Sequence, residues 1–402
     1  MTQQYRKICV VGLGYIGLPT ASLLGTKGYR VVGVDVHQTV VDTINQGKAH
    51  INEPDLDILL KSAVQSGNLT ASLTPEPADI FIMAVPTPFK DGHQPDLQYV
   101  QQATQSIVPF VQRGNLVILE STSPVGTTLD VVAKGLKETG LRVGEDIYVA
   151  HCPERVLPGR ILTELVENDR IVGGINEAST QVAADFYSEF VRGEVLKTDA
   201  ATAEMTKLVE NTFRDVNIAF ANELSLICDS LSINVWDVIA LANRHPRVNI
   251  LQPGPGVGGH CIAVDPWFIV ARSPETAKLT RIAREINDGK PDWVVDRVAA
   301  KARKYREPII ACLGISFKAD VGDMRESPAL YIARRLRDDK VGRVIVCEPN
   351  ASVINGFESA SLEDSIAQAD IIVLLVDHRA FRKLRASDLK EKVVIDTRGC
   401  LR

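Results

Sequence analysis

The sequence predicts an α/β chain: two Rossmann-like, doubly wound parallel-sheet domains joined by a helical central domain. Three features lead there. Short apolar runs alternate with helix-like segments at both ends of the chain, as in sheets covered on both faces. Its 28 Gly and 20 Pro leave one gap, with neither residue between Gly193 and Pro246. The first apolar run passes directly into a glycine-spaced turn. Strand-like runs fall at Lys7–Val11, Arg30–Val34, Ile80–Val85, Leu116–Leu119 and Ile147–Ala150. They return at Ile309–Leu313, Arg343–Cys347, Ile371–Val376 and Lys392–Ile395. Within the gap, Met205, Leu208, Val209, Phe213, Val216, Phe220 and Leu224 recur at spacings of three and four, which predicts one long helix. Domains are therefore expected over 1–196, 197–303 and 304–402.

Composition narrows the function. The 402 residues suit two or three domains. Hydrophobic residues at 45% and charged residues at 24% describe an ordinary globular protein. A net charge of −5 leaves no cationic surplus for a phosphate backbone, so nucleic acid is not expected as a partner. The seven Cys are scattered and odd in number, without a CxxC pair, which argues against a disulfide framework and for a reducing compartment. The pairs His151-Cys152 and His260-Cys261 lack metal-ligand spacing, so no metal is expected. Met1–Lys7 is polar, and Ile8–Val11 is too short for the apolar core of a signal peptide. No stretch approaches a membrane span. A cytoplasmic protein without a membrane partner is the expectation.

The first chemical site lies at the N-terminus. Ile8–Val11 leads into Gly12-Leu13-Gly14-Tyr15-Ile16-Gly17. In a strand–turn–helix, the three glycines give a tight turn, backbone approach to a pyrophosphate and close helix packing. The helix N-terminus then offers its N–H groups to phosphate. Asp35, closing the second strand run about 20 residues on, would accept ribose hydroxyls and repel a 2′-phosphate, which favours NAD over NADP. Two later strand ends carry polar residues, Val85-Pro86-Thr87 and Ser121-Thr122-Ser123-Pro124. Ligands sit at such carboxyl ends.

A second site centres on a cysteine. Pro253-Gly254-Pro255-Gly256-Val257-Gly258-Gly259-His260-Cys261 excludes regular structure, and Asp265 follows four residues later. Read alone, Cys261 is either a nucleophile or a small packed side chain. On the long helix, Lys207, Asn211 and Arg214 share one face, opposite the apolar stripe. That face suits an anionic sugar or a developing oxyanion, and equally a solvated surface.

Taken in order, these segments resemble one family. Gly12–Gly17, Pro153-Glu154-Arg155-Val156-Leu157-Pro158-Gly159, Lys207–Arg214, Gly258-Gly259-His260-Cys261 with Asp265-Pro266, and Phe317-Lys318-Ala319-Asp320 with Arg325-Glu326-Ser327 are similar to the UDP-glucose/GDP-mannose dehydrogenase family along essentially the whole chain. The run Arg244-His245-Pro246-Arg247-Val248-Asn249-Ile250-Leu251-Gln252-Pro253 looks like its UDP-N-acetyl-D-mannosamine branch, as does Asp265-Pro266-Trp267-Phe268.

The resemblance implies oxidation of a sugar CH₂OH to a carboxylate in two hydride transfers to NAD, for surface polysaccharide synthesis. It implies Cys261 as nucleophile, Lys207 with Asn211 at the oxyanion, Asp265 assisting proton transfer, Glu154 as general base and Thr122 holding water. It places Tyr15, Ile16, Thr87, Thr122, Thr128 and Arg325 among the NAD contacts. The UDP-sugar would meet Arg155, Val156, Lys207, Asn211, Arg214, His245, Arg247, Gly258, Phe317, Lys318 and Arg398. A homodimer or larger homo-oligomer would complete the site. The residues also leave room for the same chemistry on UDP-N-acetylglucosamine, UDP-glucose or GDP-mannose, for a two-electron dehydrogenase in which Cys261 only packs, and for a non-catalytic nucleotide-sugar binder.

Overall fold

The computed structural model describes residues 7–401 except 352, 353 and 355. The polar lead-in read over residues 1–6 lies outside the described residues. The chain divides into two units, 1–210 and 211–402, with the boundary inside the long helix Ala200–Ser230.

The first unit holds β1 (Lys7–Val11), β2 (Arg30–Val34), β3 (Leu69–Ser72), β4 (Ile80–Met83), a two-stranded ribbon of β5 (Phe89–Lys90) and β6 (Gln94–Pro95), then β7 (Leu116–Leu119), β8 (Tyr148–His151), β9 (Arg170–Gly174) and β10 (Val195–Asp199). Eight of these form one sheet in the order β10-β9-β8-β7-β4-β1-β2-β3. Strand periodicity sends Ile8 and Val10 into one core, with Leu24, Leu56 and Phe186, and Cys9 and Val11 into the other, with Val100, Val132 and Leu136. The sheet is thus covered on both faces. One pairing departs from a purely parallel sheet: β9 runs antiparallel to β8. The short helix Ile161–Glu167 between them does not carry the chain back along the sheet. The antiparallel turn brings Arg170, opening β9, beside Glu154, just past β8.

The second unit holds β11 (Ile309–Leu313), β12 (Arg343–Cys347), β13 (Glu358–Ser359), β14 (Ile371–Leu374) and β15 (Val393–Asp396), all parallel, in the order β13-β12-β11-β14-β15. Its helices include Val235–Ala242, Asp265–Arg272, Lys278–Ala302 and Pro328–Asp338. The helical middle belongs to the same unit as this sheet. Val294, Val295 and Val298 of Lys278–Ala302 pack into one core with Ile310, Cys312 and Val346.

The long helix is inverted relative to a soluble amphipathic helix. Leu208 is buried, but Val209 is 49% exposed, Phe213 67% and Phe220 48%. Met205, Ile227 and Leu231 extend the exposed apolar face. The inward side sets polar groups among small apolar ones: Asp215 and Asn222 are fully buried beside Ala219 and Ala221. They stay inside because Lys278–Ala302 supplies partners. Arg284 donates to Asp215 at 2.6 Å, and Asn287 donates to Asp215 at 2.8 Å. Asn222 donates to Asn287 at 2.8 Å and accepts from the Gly254 N–H at 2.9 Å. The polar ladder therefore ends on the cysteine loop. Among the described residues, no helix is long and apolar enough to cross a membrane.

Candidate active site

The N-terminal turn has the geometry its glycines predict. Gly12 has φ +94°, and a Cβ there would lie 2.6 Å from the Ala84 carbonyl oxygen. A Cβ on Gly17 would lie 1.7 Å from the Gly12 oxygen, whereas at Gly14 the space is open. Asp35 accepts the N–H of Leu13 at 3.2 Å and of His37 at 3.0 Å. It is half-buried, and each oxygen keeps a lone pair for a ribose hydroxyl. Gly14 and Tyr15 are exposed and Ile16 half-buried beside them. This cradle fits a dinucleotide: the closed turn brings backbone up to a pyrophosphate, and the carboxylate stands at the end of β2.

Thr87 donates to the Thr122 carbonyl at 2.5 Å, tying together the loops after β4 and β7. Thr128 is fully buried, and its hydroxyl donates to Glu204 at 2.6 Å. Glu204 also accepts the N–H of Thr128 at 2.7 Å and of Gly126 at 2.6 Å. Thr128 therefore ties the loop after β7 to the long helix Ala200–Ser230 and does not face solvent.

Behind the same strand ends lies a buried ionic cluster. Glu154 pairs with Arg170 at 3.4 Å, both nearly enclosed, and one Glu154 oxygen has no partner. Glu120 accepts from the Tyr187 hydroxyl at 2.7 Å, while its other oxygen is buried without a partner. Burial pushes the Glu120 carboxyl up to about 7, against the pull of Arg170 and with the push of Glu154. His151 is held down to about 3, mainly by burial, with the Lys207 ammonium adding to it. Arg155 is held by the Asp169 carbonyl at 3.2 Å and Glu210 at 2.6 Å, and Val156 packs against the first core. Lys207 is half-buried.

The Glu120 shift has a measurable consequence. Folded Glu120 keeps its proton up to about pH 7, whereas in the unfolded chain the carboxyl releases it near its ordinary value of 4.5. Between those values the folded chain binds more protons, so stability falls as pH rises, by up to about 3 kcal/mol. Glu120→Gln, which stays neutral, is expected to gain thermal stability relative to wild type between pH 4.5 and 8. A melting-temperature difference flat across that range would refute the assignment.

In the second unit, Asn211 donates to Asp265 at 2.5 Å, and both are buried. Asp265 opens the helix that follows the cysteine loop, with its N–H bonded to the Cys261 carbonyl at 2.8 Å. Cys261 is the exposed cysteine of the seven; Cys9, Cys152, Cys228, Cys312 and Cys347 are buried and Cys400 half-buried. The loop's glycines are required by crowding. A Cβ on Gly258 would lie 2.3 Å from the Glu326 carbonyl oxygen, and Gly259, at φ +86°, rests on the Phe317 ring. A Cβ on Gly254 would lie 2.6 Å from the Arg398 guanidinium. Hence the structure brings Gly258, Cys261, Phe317 and Arg398 together around one loop. Arg398 is also held by Asp377 at 3.0 Å, and Arg325 is gripped by Asp323 at 2.6 Å. Lys318, Arg214, His245 and Arg247 are exposed.

The first unit thus carries a dinucleotide cradle, and the second an exposed thiol on a glycine loop next to a buried Asn–Asp pair. Family models agree with that division. Residues 6–191 match the NAD-binding domain of the UDP-glucose/GDP-mannose dehydrogenase family, 201–289 its central domain and 311–402 its UDP-binding domain.

The chain belongs to the UDP-glucose/GDP-mannose dehydrogenase family.

Its cofactor is NAD. The dehydrogenase is 57% identical to an NDP-N-acetyl-D-galactosaminuronic acid dehydrogenase of Ralstonia nicotianae, over 98% of this chain and 96% of that protein. It is 52% identical to a UDP-N-acetyl-D-mannosamine dehydrogenase of Campylobacter jejuni, over 95% and 98%. The solved structure of the UDP-N-acetyl-mannosamine dehydrogenase Cap5O from S. aureus superposes with a TM-score of 0.91 at 46% identity, covering 98% of this chain and 96% of that one.

Sequence reasoning passed over several residues of these sites. Glu120, Arg170 and Tyr187 lie on separate elements, and only the sheet order brings them together. Asn222 and Arg284 read as ordinary helix residues until the two helices are seen to share a buried polar face.

Proposed function

We propose that the dehydrogenase oxidises C6 of UDP-N-acetyl-D-mannosamine from alcohol to carboxylate, consuming two NAD. The observation that carries this is the exposed Cys261 thiol on a glycine loop ending at the buried Asn211–Asp265 pair. A two-electron alcohol dehydrogenase has no use for a thiol there. NAD, when bound, accepts the hydride in each oxidation. Gly12, Gly14, Gly17 and Asp35 hold it, with Tyr15, Ile16, Thr87, Thr122 and Arg325 as further contacts.

The Cys261 thiolate attacks the C6 aldehyde, and the oxyanion takes up a proton to give a thiohemiacetal. Its oxidation leaves a thioester on Cys261. Water then displaces the thiol, releasing the acid. Lys207 and Asn211 stabilise the oxyanion, Asp265 assists proton transfer, and Glu154, with Thr122, readies the water. Arg155, Val156, Arg214, His245, Arg247, Gly258, Phe317, Lys318 and Arg398 bind the UDP-sugar. The three working parts are 1–196 for NAD, 197–303 for the thiol and 304–402 for UDP. The reaction is cytoplasmic and serves surface polysaccharide synthesis.

Relatives named for N-acetylated sugars support an N-acetylhexosamine substrate. Because the 57% relative is named for a galacto-configured acid, UDP-N-acetylgalactosamine is the second reading. Steady-state rates on UDP-linked N-acetylmannosamine, N-acetylgalactosamine, N-acetylglucosamine and glucose, and on GDP-mannose, decide the substrate. The expected result is preference for the manno sugar with two NADH per sugar. One NADH per sugar would reject the four-electron reading, and a preference for UDP-glucose would reject the substrate.

The exposed apolar face of Ala200–Ser230 supports a homodimer. Burying a Phe contributes about 1.5–3 kcal/mol, and a two-fold interface counts it twice. Phe213→Asp is expected to weaken dimerisation by about 10³-fold. Light scattering that finds an unchanged dimer in the variant would reject this face.

A further inference from the structure

The two sheets of the dehydrogenase repeat one device and then differ. In the first, Gly12 donates to the Val34 carbonyl at 2.8 Å, and the next N–H, of Leu13, is accepted by Asp35 at the end of β2. In the second, Gly314, at φ +82°, donates to the Cys347 carbonyl at 2.8 Å. The next two N–H groups, of Ile315 and Ser316, are accepted by Glu348 at the end of β12, at 2.9 and 3.1 Å. Asp35 is half-buried and reachable by a ligand. The Glu348 side chain is fully enclosed, with the fully buried His378 set 3.2 Å from it. The Glu348 carboxylate is thus taken by the chain's own imidazole, whereas the Asp35 carboxylate stays accessible.

The other ring nitrogen does specific work. The Asp320 N–H, which can only donate, meets His378 Nδ1 at 2.9 Å. Nδ1 is therefore the acceptor, and Nε2 carries the proton toward Glu348. The Asn350 side chain also reaches Nδ1, at 3.0 Å, and the Ser316 hydroxyl closes the loop on the Lys318 carbonyl at 2.9 Å. Asp320 sits in the left-handed region at φ +61°, a strained position for a residue with a side chain. Its carboxylate accepts the Arg379 N–H at 2.9 Å. The turn Ser316-Phe317-Lys318-Ala319-Asp320 is thus tied at both ends to the His378–Arg379 segment.

We propose that His378 is a positioning residue for the UDP end of the substrate. By accepting the Asp320 N–H it holds the 316–320 turn in the shape that presents Phe317 and Lys318. The inference rests on the reading that this turn meets UDP.

Three variants of the full-length protein test it: His378→Ala, His378→Asn and His378→Gln. Asn sets an oxygen near the place of Nδ1, whereas Gln sets its amide near Nε2. Each is read by amide hydrogen exchange over 316–320, by calorimetric titration with UDP and by titration with NAD. Losing one positioning hydrogen bond corresponds to about a tenfold weakening. The expected result is faster exchange at Asp320 and UDP binding weakened about tenfold in the Ala and Gln variants. The Asn variant should recover both, with NAD affinity unchanged in all three. Exchange at Asp320 unchanged in the Ala and Gln variants overturns the proposal. So does UDP affinity within about twofold of wild type once the turn has loosened, or Asn doing no better than Gln. If the Ala variant does not fold, the Asn–Gln comparison carries the test. Wild-type protein that fails to bind UDP rejects the substrate reading alone, because the exchange measurement still reports whether His378 holds the turn.

Discussion

Cys261→Ser is expected to lower the rate of acid formation by about 10³-fold or more, since a nucleophile and its partners act as a unit. A serine hydroxyl is far less ionised than a thiol near neutral pH, so it is the weaker nucleophile toward the aldehyde. NAD affinity should not change, because Gly12–Gly17 and Asp35 belong to the other unit of the chain. The residual reaction should release one NADH per sugar and stall at the aldehyde. Measuring NADH yield beside acid yield separates the outcomes. A serine variant that still makes two NADH at near wild-type rate would remove Cys261 from the mechanism.

Arg284→Met is expected to cost about 3–5 kcal/mol of folding stability, the usual effect of stranding one partner of a buried ion pair. Arg284 and Asp215 are both fully buried and 2.6 Å apart. The guanidinium also pairs with Asp288. Burial already pushes the Asp215 carboxyl above its usual range, with Arg284 holding it back. Without Arg284 the carboxylate must stay charged in an apolar setting or take up a proton. Thermal unfolding should shift down by about 10 °C, at roughly 2–4 °C per kcal/mol for a unit of this size. Combining Arg284→Met with Asp215→Leu should recover most of the loss, because the stranded charge is what costs. A single variant within about 1 kcal/mol of wild type would show that the pair is dispensable.

Much of the first site is legible in the residues because its chemistry is local. A strand running into Gly12-Leu13-Gly14-Tyr15-Ile16-Gly17 needs only neighbouring backbone to define the turn, and β2 begins soon enough to return Asp35 to it. The glycine loop around Cys261 is legible for the same reason. The strands that went unread are those whose patterns are weakest. β3 and β10 lie at sheet edges, and β9 ends in Gly173-Gly174, which reads as a turn. Those glycines are there because a Cβ on Gly173 would lie 2.3 Å from the Asp199 carbonyl oxygen.

Periodicity likewise found the long helix but not its orientation. An apolar stripe ordinarily faces the core, and here it faces outward, because the polar stripe has buried partners on Lys278–Ala302 some 70 residues away in sequence. Thr128 shows the same limit: the family resemblance implies an NAD contact, while the fold directs its hydroxyl to Glu204.

What the amino-acid order alone settles is therefore the two-sheet architecture, the dinucleotide turn and the place of the thiol, since each depends on residues close together in the chain. Which polar groups are buried, which carboxylates are shared or sealed, and which helix face is left exposed are decided by tertiary packing. Burial and pairing depend on residues far apart in sequence, and a local pattern carries no information about what will be folded against it.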